Sequence, residues 1–450
     1  IYFMDFELYN YYDQRTVNNV PFLNSKEFKY ITNKWGKVEC RETLAEYIAS
    51  NQSTFPFNVI NKRAMVKNFL KLNTTRYEKY LTPSSPEVDS NILEKYDDYK
   101  YDYHSNALGM VDCPSAPFNR VSDYFMRKLR WSCPSYGHKS PIEVWENGEA
   151  KEIWGVLGVL WRGVNGTHFN DDGECTAGEL SSNSYAVAFR LGSYIATQFK
   201  PIVAKSVYEM TDAKRVLDTS MGWGDRLAGF FASSATEYIG CDPNPNTFKI
   251  YKTMAVEYSN ILSNDHTITA DIEDYFELVG DKKSIKIYRC GAENLPWDSI
   301  SDIDCAFTSP PYFSTERYNE GGDKESDQSW SKFNEYNNWR DDFYLPVAKH
   351  SFESLSDKGF LIVNIMDPKI KGVRYYSCDE LVDSLKDKFI GQFGMRIMQR
   401  PQGRHLYSTP EELKEYLNKS YIENVWCFSK SDEPIDLFRE SRVATLDSFF

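Results

Sequence analysis

The sequence predicts an α/β fold: a sheet of mostly parallel strands joined by crossover helices over residues 181–450, plus an N-terminal accessory domain over 1–180. Three observations carry this expectation. From about residue 215 onward, short apolar runs rich in β-branched and aromatic residues alternate with segments of helical character. Two of these runs end in an acid, at Asp218 and Asp242, a spacing that fits one strand-helix-strand unit. The segment 1–180 shows no such alternation, only scattered aromatics, charge clusters and a turn-rich stretch from Pro114 to Pro134.

Five runs are read as sheet strands: 215–218, 237–241, 284–289, 303–307 and 360–365. Each is short and dominated by Val, Ile, Leu, Phe or Tyr, the residues that fit a pleated, buried surface. The segment holding Trp339, Phe343 and Pro346 reads as the amphipathic helix before the fifth strand, with its apolar face in the core. Two later runs, 392–398 and 423–428, are expected to close the sheet as an antiparallel pair. Pro401, Gly403 and Pro410 mark a loop or small insertion between them. No internal repeat is visible.

At 450 residues the chain has room for a catalytic domain and one accessory domain. Asp and Glu total 65 against 52 Lys and Arg, a net charge of −13. That balance excludes the globally basic signature of a nucleic-acid coat protein, although a local basic groove is compatible with it. An aromatic content of 15% excludes a disordered chain. The nine cysteines form no Cys-x-x-Cys and do not pair with the six histidines, which argues against zinc and against a disulfide framework. The opening residues lack the basic and apolar regions of a signal peptide, and no apolar run approaches the roughly 18 residues a membrane helix needs. The expected location is the cytoplasm of a bacterial or virus-infected cell, away from membranes.

Two basic clusters stand out in the accessory segment. Lys62, Arg63, Lys67, Lys71, Arg76 and Lys79 face a single Glu78, and Arg120, Arg127, Lys128 and Arg130 are interleaved with Tyr124, Phe125 and Trp131. The plain reading of each is a solvated helix face. The sharper one is a phosphate-contacting surface with aromatics available for base stacking.

Chemistry concentrates at three strand ends. Asp218-Thr219-Ser220-Met221-Gly222-Trp223-Gly224 is a strand ending in an acid, then a Gly-x-Gly turn into a helix. Glycines there let backbone amides approach a ligand at the carboxyl edge of the sheet. The pattern is neither Gly-x-Gly-x-x-Gly nor a phosphate-binding loop ending in Gly-Lys-Ser/Thr. Asp242-Pro243-Asn244 ends the second strand, where an acid can accept both hydroxyls of a ribose. Together these two features favour an adenosine-containing cofactor over tight turns with solvated acids. After the fourth strand comes Ser309-Pro310-Pro311-Tyr312-Phe313. Two prolines fix φ twice and remove two amide donors, so the chain leaves the sheet stiffly with carbonyls able to accept. Ser309, the Pro310 carbonyl and the Tyr312 face could grip a planar group carrying an exocyclic amine.

These residues resemble the S-adenosylmethionine-dependent amino methyltransferases of DNA, which methylate cytosine N4 or adenine N6. The matching motifs run in order from about 185 to 365, and Ser-Pro-Pro-Tyr followed by an aromatic is highly specific within that family. The resemblance implies a Rossmann-like class I methyltransferase sheet, S-adenosyl-L-methionine as cofactor and double-stranded DNA as partner, and it allows a homodimer. It implies that Asp218, Ser220, Gly222 and Gly224 shape the methionine pocket and Asp242 holds the ribose. Glu293 or Asn294 would reach the adenine, with Trp223 and Pro243 packing beside it. Phe199, Lys200 and Pro201 would pack on the cofactor from the other side.

Two departures matter. The family usually has Asp-Pro-Phe where this chain has Asp218-Thr219-Ser220, so an aromatic contact would come from Trp223 or Phe199. Serine at 309, rather than Asp or Asn, leans toward cytosine N4. The resemblance also implies that Ser309, Pro310, Pro311 and Tyr312 carry catalysis on a flipped-out base, with Phe313 as part of the wall. Arg317 sits in a polar loop expected over the site. Arg396, Arg400, Arg404 and His405 are candidates for substrate phosphates. Cys305 is expected in the core, since a cytosine C5 enzyme would place its nucleophile in Pro-Cys. The rivals are a methyltransferase acting on RNA or a protein amide, and a catalytically silent DNA-binding subunit. The segment 1–180 becomes the target-recognition module by elimination.

Overall fold

The computed structural model describes residues 5–114, 118–162, 166–397, 409, 419–433 and 435–438. The chain divides into two compact units, one of residues 1–60 and 128–197, the other of residues 61–127 and 198–450. The second unit holds a twelve-stranded sheet. Its strands in chain order are β1 (Leu81–Pro83), β2 (Ile92–Leu93), β3 (Ala107–Asp112), β4 (Arg215–Asp218), β5 (Glu237–Cys241), β6 (His266–Asp271), β7 (Tyr275–Gly280), β8 (Ser284–Tyr288), β9 (Ile303–Thr308), β10 (Leu355–Asn364), β11 (Phe389–Ile397) and β12 (Ser420–Ser429).

Across the sheet the order is β6-β7-β8-β5-β4-β9-β10-β12-β11-β3-β1, with β2 paired to β12. Strands β8, β5, β4, β9 and β10 are mutually parallel. Strand β12 runs antiparallel to both β10 and β11. The reversal of strand order between β4 and β9 opens a crevice at their carboxyl ends, where open α/β sheets bind ligands. Helices α1 (Pro201–Met210), α2 (Asp225–Phe231), α3 (Pro245–Ile261) and α4 (Leu345–Glu353) flank this region. Pro201 and Pro245 occupy the first turns of α1 and α3, where a missing N–H costs nothing. The runs Val216-Leu217, Tyr238-Ile239 and Leu361-Ile362-Val363 are buried throughout, as strands covered on both faces must be.

Two features depart from the sequence expectation. The hairpin β6–β7 extends one edge, and its partly polar, exposed residues gave no apolar run to read. At the other edge, β1, β2 and β3 come from the segment expected to stand apart, and β2 and β3 pair with β12 and β11 at the far end of the chain. The compact units accordingly do not follow a single cut at 180. Residues 61–127 fold with the sheet because β3, although paired with β1, has its other edge on β11, and β2 pairs with β12.

The first unit is mainly helical. Ser25–Asn51 starts with a capping box in which Asn24 and Glu27 satisfy each other's backbone amides, and it kinks at Gly36, whose φ of 82° only glycine adopts freely. Its core gathers Phe28, Trp145, Trp161, Tyr185 and Phe189. Their polar tips are met, since Trp145 Nε1 donates to the Ser53 carbonyl at 2.9 Å and Tyr185 OH to the Pro21 carbonyl at 2.7 Å. Trp131 and Arg130 also face inward: Trp131 packs on Phe55 and Phe57, and Arg130 Nη1 donates to the Ala196 carbonyl. The aromatic and cationic ends of that basic cluster are therefore structural. In the second unit, helix Lys62–Thr74 buries Met65, Phe69 and Leu72 and leaves most of its basic residues toward solvent.

Candidate active site

A cleft opens at the carboxyl ends of β4, β5 and β9. At the first strand end, Asp218 is fully buried and does not line it. Its Oδ2 accepts from Arg226 Nε at 3.0 Å and from Tyr238 OH at 2.7 Å, while Oδ1 accepts from the Ser220 amide at 3.1 Å. Arg226 also donates to the Ser220 carbonyl. Asp218 thus fixes the loop from beneath. Gly222 turns with φ of 54° and lines the cleft, and a side chain there would meet only one atom within 4 Å. Gly224 serves packing: its φ is 74°, and a Cβ would lie 2.6 Å from Met254 Cε.

Asp242 follows β5 and lines the cleft. Its Oδ2 accepts from the Gly222 amide at 2.9 Å, and its Oδ1 accepts from the Asn244 amide at 3.0 Å and from Thr247 Oγ1 at 3.3 Å. Burial pushes its carboxyl up to about 6, and these hydrogen bonds limit the rise. After β8, the turn Ala292–Asn294 places Glu293 in the cleft wall, where its Oε1 pairs with Lys332 at 2.6 Å. Asn294 is exposed and off the cleft, so of the two residues expected near an adenine only Glu293 lines it.

A row of hydroxyls joins the first and fourth strand ends. Thr219 Oγ1 donates to Thr308 Oγ1 at 2.9 Å, Thr308 and Ser220 hydroxyls are 2.7 Å apart, and Ser220 Oγ donates to the Ser309 carbonyl at 2.8 Å. Ser309 and Pro311 line the cleft; Pro310 is buried beside them. The chain then turns through hydrogen bonds that the Phe313 amide donates to the Pro311 carbonyl and the Thr315 amide to the Tyr312 carbonyl. Phe313 takes a φ of 53°, a left-handed conformation that costs free energy in a bulky residue. Half-buried Tyr312 is held by its hydroxyl, which donates to Glu423 Oε1 at 3.0 Å and lies near the Asn364 carbonyl and side-chain oxygens at 3.3 and 3.4 Å.

Several residues the sequence singled out lie elsewhere. Phe313 is only 5% exposed and packs edge-on against Tyr336 and Tyr375, so it belongs to the core and not to an open wall. Phe199 packs edge-on on Phe307 with the Arg226 guanidinium 5.3 Å from its ring, while Lys200 caps α1 and Pro201 is buried in its first turn; none of the three lines the cleft. Arg317 pairs with Glu320 at 2.8 Å outside the cleft. Arg396 pairs with Asp112 at 3.2 Å, and Arg400, Arg404 and His405 lie outside the described residues. Cys305 is fully buried, and burial pushes its thiol up to about 12, which removes it as a nucleophile. Trp223 and Pro243 do line the cleft.

Sequence reasoning missed Asn244, Thr247, Gln328 and Phe343 in the wall, and the Tyr312 anchors Asn364 and Glu423; Tyr318, from the loop expected over the site, does line it. Phe343 lies in the π-helical turn Trp339–Tyr344, a local irregularity that often marks functional positions. Trp223 Nε1, Glu293 Oε2 and Gln328 Nε2 belong to lining residues and are buried polar atoms without a hydrogen-bond partner among the described residues. Two donors and an acceptor left unmet at an aromatic-walled site, beside a carboxylate held by backbone amides, fit a nucleoside-containing ligand.

The sheet itself gives the class. Counting β4, β5, β8, β9, β10, β11 and β12 as first to seventh, the order is 3-2-1-4-5-7-6 with the seventh antiparallel, a Rossmann-like class I methyltransferase sheet. Residues 303–446 match the family model described as DNA methylase, and that match supports the DNA amino methyltransferase family. S-adenosylmethionine is the cofactor of that class. No curated protein matches the chain. Among solved structures, the chain is similar to a SAM-dependent O-methyltransferase from Thermotoga maritima, with 12% identity and a TM-score of 0.30, covering 60% of this chain and 78% of that one. It is also similar to TrmN from Thermus thermophilus, with 13% identity, a TM-score of 0.30 and coverage of 51% and 49%. A third is Trm1 from Pyrococcus horikoshii in complex with S-adenosyl-L-methionine, with 12% identity, a TM-score of 0.28 and coverage of 53% and 58%. Among the described residues no helix is long and apolar enough to cross a membrane.

Proposed function

We propose that this protein is a site-specific DNA methyltransferase that moves a methyl group from S-adenosylmethionine to an exocyclic base amine, cytosine N4 in preference to adenine N6. The observation that carries the reading is the shared wall: Ser309 and Pro311 line the same cleft as Gly222 and Asp242, and Ser220 Oγ bonds directly to the Ser309 carbonyl. Asp242 would accept the ribose hydroxyls, Trp223, Pro243 and Glu293 would surround the adenine, and the Ser220–Gly222 turn would hold the methionine end. When bound, the cofactor supplies an electrophilic methyl on a sulfonium.

The chain's own residues supply positioning. An exocyclic amine is a poor nucleophile because its lone pair is delocalised into the ring. The Ser309 hydroxyl and the Pro310 carbonyl accept its two N–H bonds, let the nitrogen pyramidalise and aim its lone pair into the cleft. Tyr312, held from behind by Glu423, offers the ring on which the base stacks. A base inside a duplex cannot reach these atoms, so the target nucleotide is extruded. Target choice falls to the residues outside the central sheet, mainly those before 181, acting on double-stranded DNA in the cytoplasm. Serine at 309 in place of Asp or Asn, which in the family the motif resembles leans toward cytosine N4, supports the preference for cytosine.

The test is mass spectrometry of nucleosides from DNA incubated with the protein and methyl-labelled cofactor, with RNA and a glutamine-containing protein extract alongside. N4-methylcytosine in the DNA is expected. Label only in RNA or protein, or nowhere, overturns the reading. Ser309→Ala should abolish transfer while calorimetry still registers cofactor binding.

A further inference from the structure

Gln328 is only 3% exposed and lines the cleft, and its Nε2 has no hydrogen-bond partner among the described residues. It stands at the N-cap of the helical turn Ser329–Lys332, where a side chain often accepts an orphan amide, but it makes no such bond. Its backbone holds the turn instead: the carbonyl accepts from the Ser331 and Lys332 amides at 3.1 and 2.9 Å, and the amide donates to the Glu325 carbonyl at 2.9 Å. A primary amide buried without a partner is costly, so one that faces a cleft calls for a ligand. The strap that carries it, residues 314–332, begins two residues after Tyr312 and is fastened on the cofactor side. Asn246 Nδ2, in the first turn of α3, donates to Asn319 Oδ1 at 3.1 Å, and Trp330 Nε1 donates to the Tyr318 carbonyl at 2.9 Å. Lys332 Nζ pairs with Glu293 Oε1 at 2.6 Å, which leaves Glu293 Oε2 buried and unmet, as Trp223 Nε1 is.

Resting on the reading of this cleft as the S-adenosylmethionine site, we propose that Gln328 is a specificity-determining residue for the cofactor's purine, its Nε2–H donating to a ring nitrogen of the adenine. The polarity of the unmet atoms carries the assignment. Trp223 and Gln328 offer donors and Glu293 offers an acceptor, all from residues lining one cleft. An adenine presents the acceptor nitrogens N1, N3 and N7 and an amine that donates, which answers that set with the amine directed to Glu293 Oε2. A phosphate or carboxylate has acceptors alone and would face the Glu293 carboxylate. Asp242, at the neighbouring strand end, is left for the ribose. The turn that presents Gln328 is also the one whose Lys332 holds Glu293, so donor and acceptor are set by a single piece of backbone. The purine thereby holds down the strap that leaves the Ser-Pro-Pro-Tyr motif.

Calorimetry with S-adenosylhomocysteine and its 1-deaza, 3-deaza and 7-deaza analogues, each replacing one ring nitrogen by C–H, tests this without any turnover. Wild-type protein should bind S-adenosylhomocysteine, and should bind two of the analogues about tenfold more weakly, because each leaves one buried donor unpaired. Gln328→Ala should weaken S-adenosylhomocysteine about tenfold and erase one of those two discriminations while keeping the other, which belongs to Trp223. Trp223→Phe should show the reverse pattern. A side chain that only shaped the strap would, on removal, weaken all four ligands alike and leave both discriminations standing. That result overturns the assignment, as do an unchanged dissociation constant in Gln328→Ala, the loss of both discriminations at once, or equal binding of all four ligands by the wild type. In each of those cases the cofactor reading stands and Gln328 alone loses its role. Wild-type protein that binds none of the four overturns the cofactor reading itself.

Discussion

Asp218 and Asp242 occupy equivalent places, each closing a central parallel strand at the edge of the same cleft, yet their surroundings give them opposite work. Asp218 meets a cation, Arg226, and both side chains are almost fully buried in a 3.0 Å ion pair. Asp242 meets no cation at hydrogen-bond distance among the described residues; its partners are two backbone amides and the hydroxyls of Thr247 and Tyr251, and it borders open space. A carboxylate neutralised from within becomes part of the scaffold. One held only by neutral donors keeps lone pairs for a ligand, at the cost of a raised proton affinity.

The largest consequence should come from Asp218. Asp218→Ala leaves Arg226 buried without its counter-charge, so denaturant unfolding should register a loss of about 3–5 kcal/mol. If stability were unchanged and only cofactor affinity fell, the two acids would not differ as described. Asp242→Ala should leave the melting temperature nearly unaltered and weaken cofactor binding by roughly 10- to 100-fold in calorimetry, the value of hydrogen bonds to a charged acceptor.

A pH series sharpens the contrast. Because Asp242 in the folded chain titrates at about 6, above its ordinary 3.8, cofactor affinity should drop about tenfold per pH unit below 6, and Asp242→Asn should flatten that dependence. For folding the sign is reversed. Between 3.8 and 6 the folded chain binds more protons at this site than the unfolded one, so the contribution of Asp242 to stability falls as pH rises through that window. The smallest effect separates neighbours after β8: Asn294→Ala should change cofactor affinity by less than about twofold, whereas Glu293→Ala should weaken it several-fold, one hydrogen bond's worth.

What the sequence disclosed was local. The seven central strands, the Gly-x-Gly turn and Ser-Pro-Pro-Tyr are each written in a few consecutive residues whose burial or backbone restriction can be read in place. What it hid depended on distance. Glu423 reaches Tyr312 across 111 positions, and β3 finds β11 only after the chain has closed the sheet. Asp218 looked like a ligand contact because Arg226, eight residues on, carries no sign in the sequence that it turns inward. Phe313 was expected as part of the wall beside Tyr312. The left-handed turn at that residue sends the ring into the core instead, and no local pattern announces it.

The hydroxyl row from Thr219 to the Ser309 carbonyl has a thermodynamic corollary. Two loops joined by hydrogen bonds 2.7 to 2.9 Å long cannot be ordered separately. A molecule that settles the loop after β4 also settles the loop after β9. Whatever factor by which the cofactor tightens the grip on a ligand at Ser309, that ligand must tighten the hold on the cofactor by the same factor. Ser220→Ala, which removes the middle hydroxyl, should bring that shared factor toward one from both directions at once.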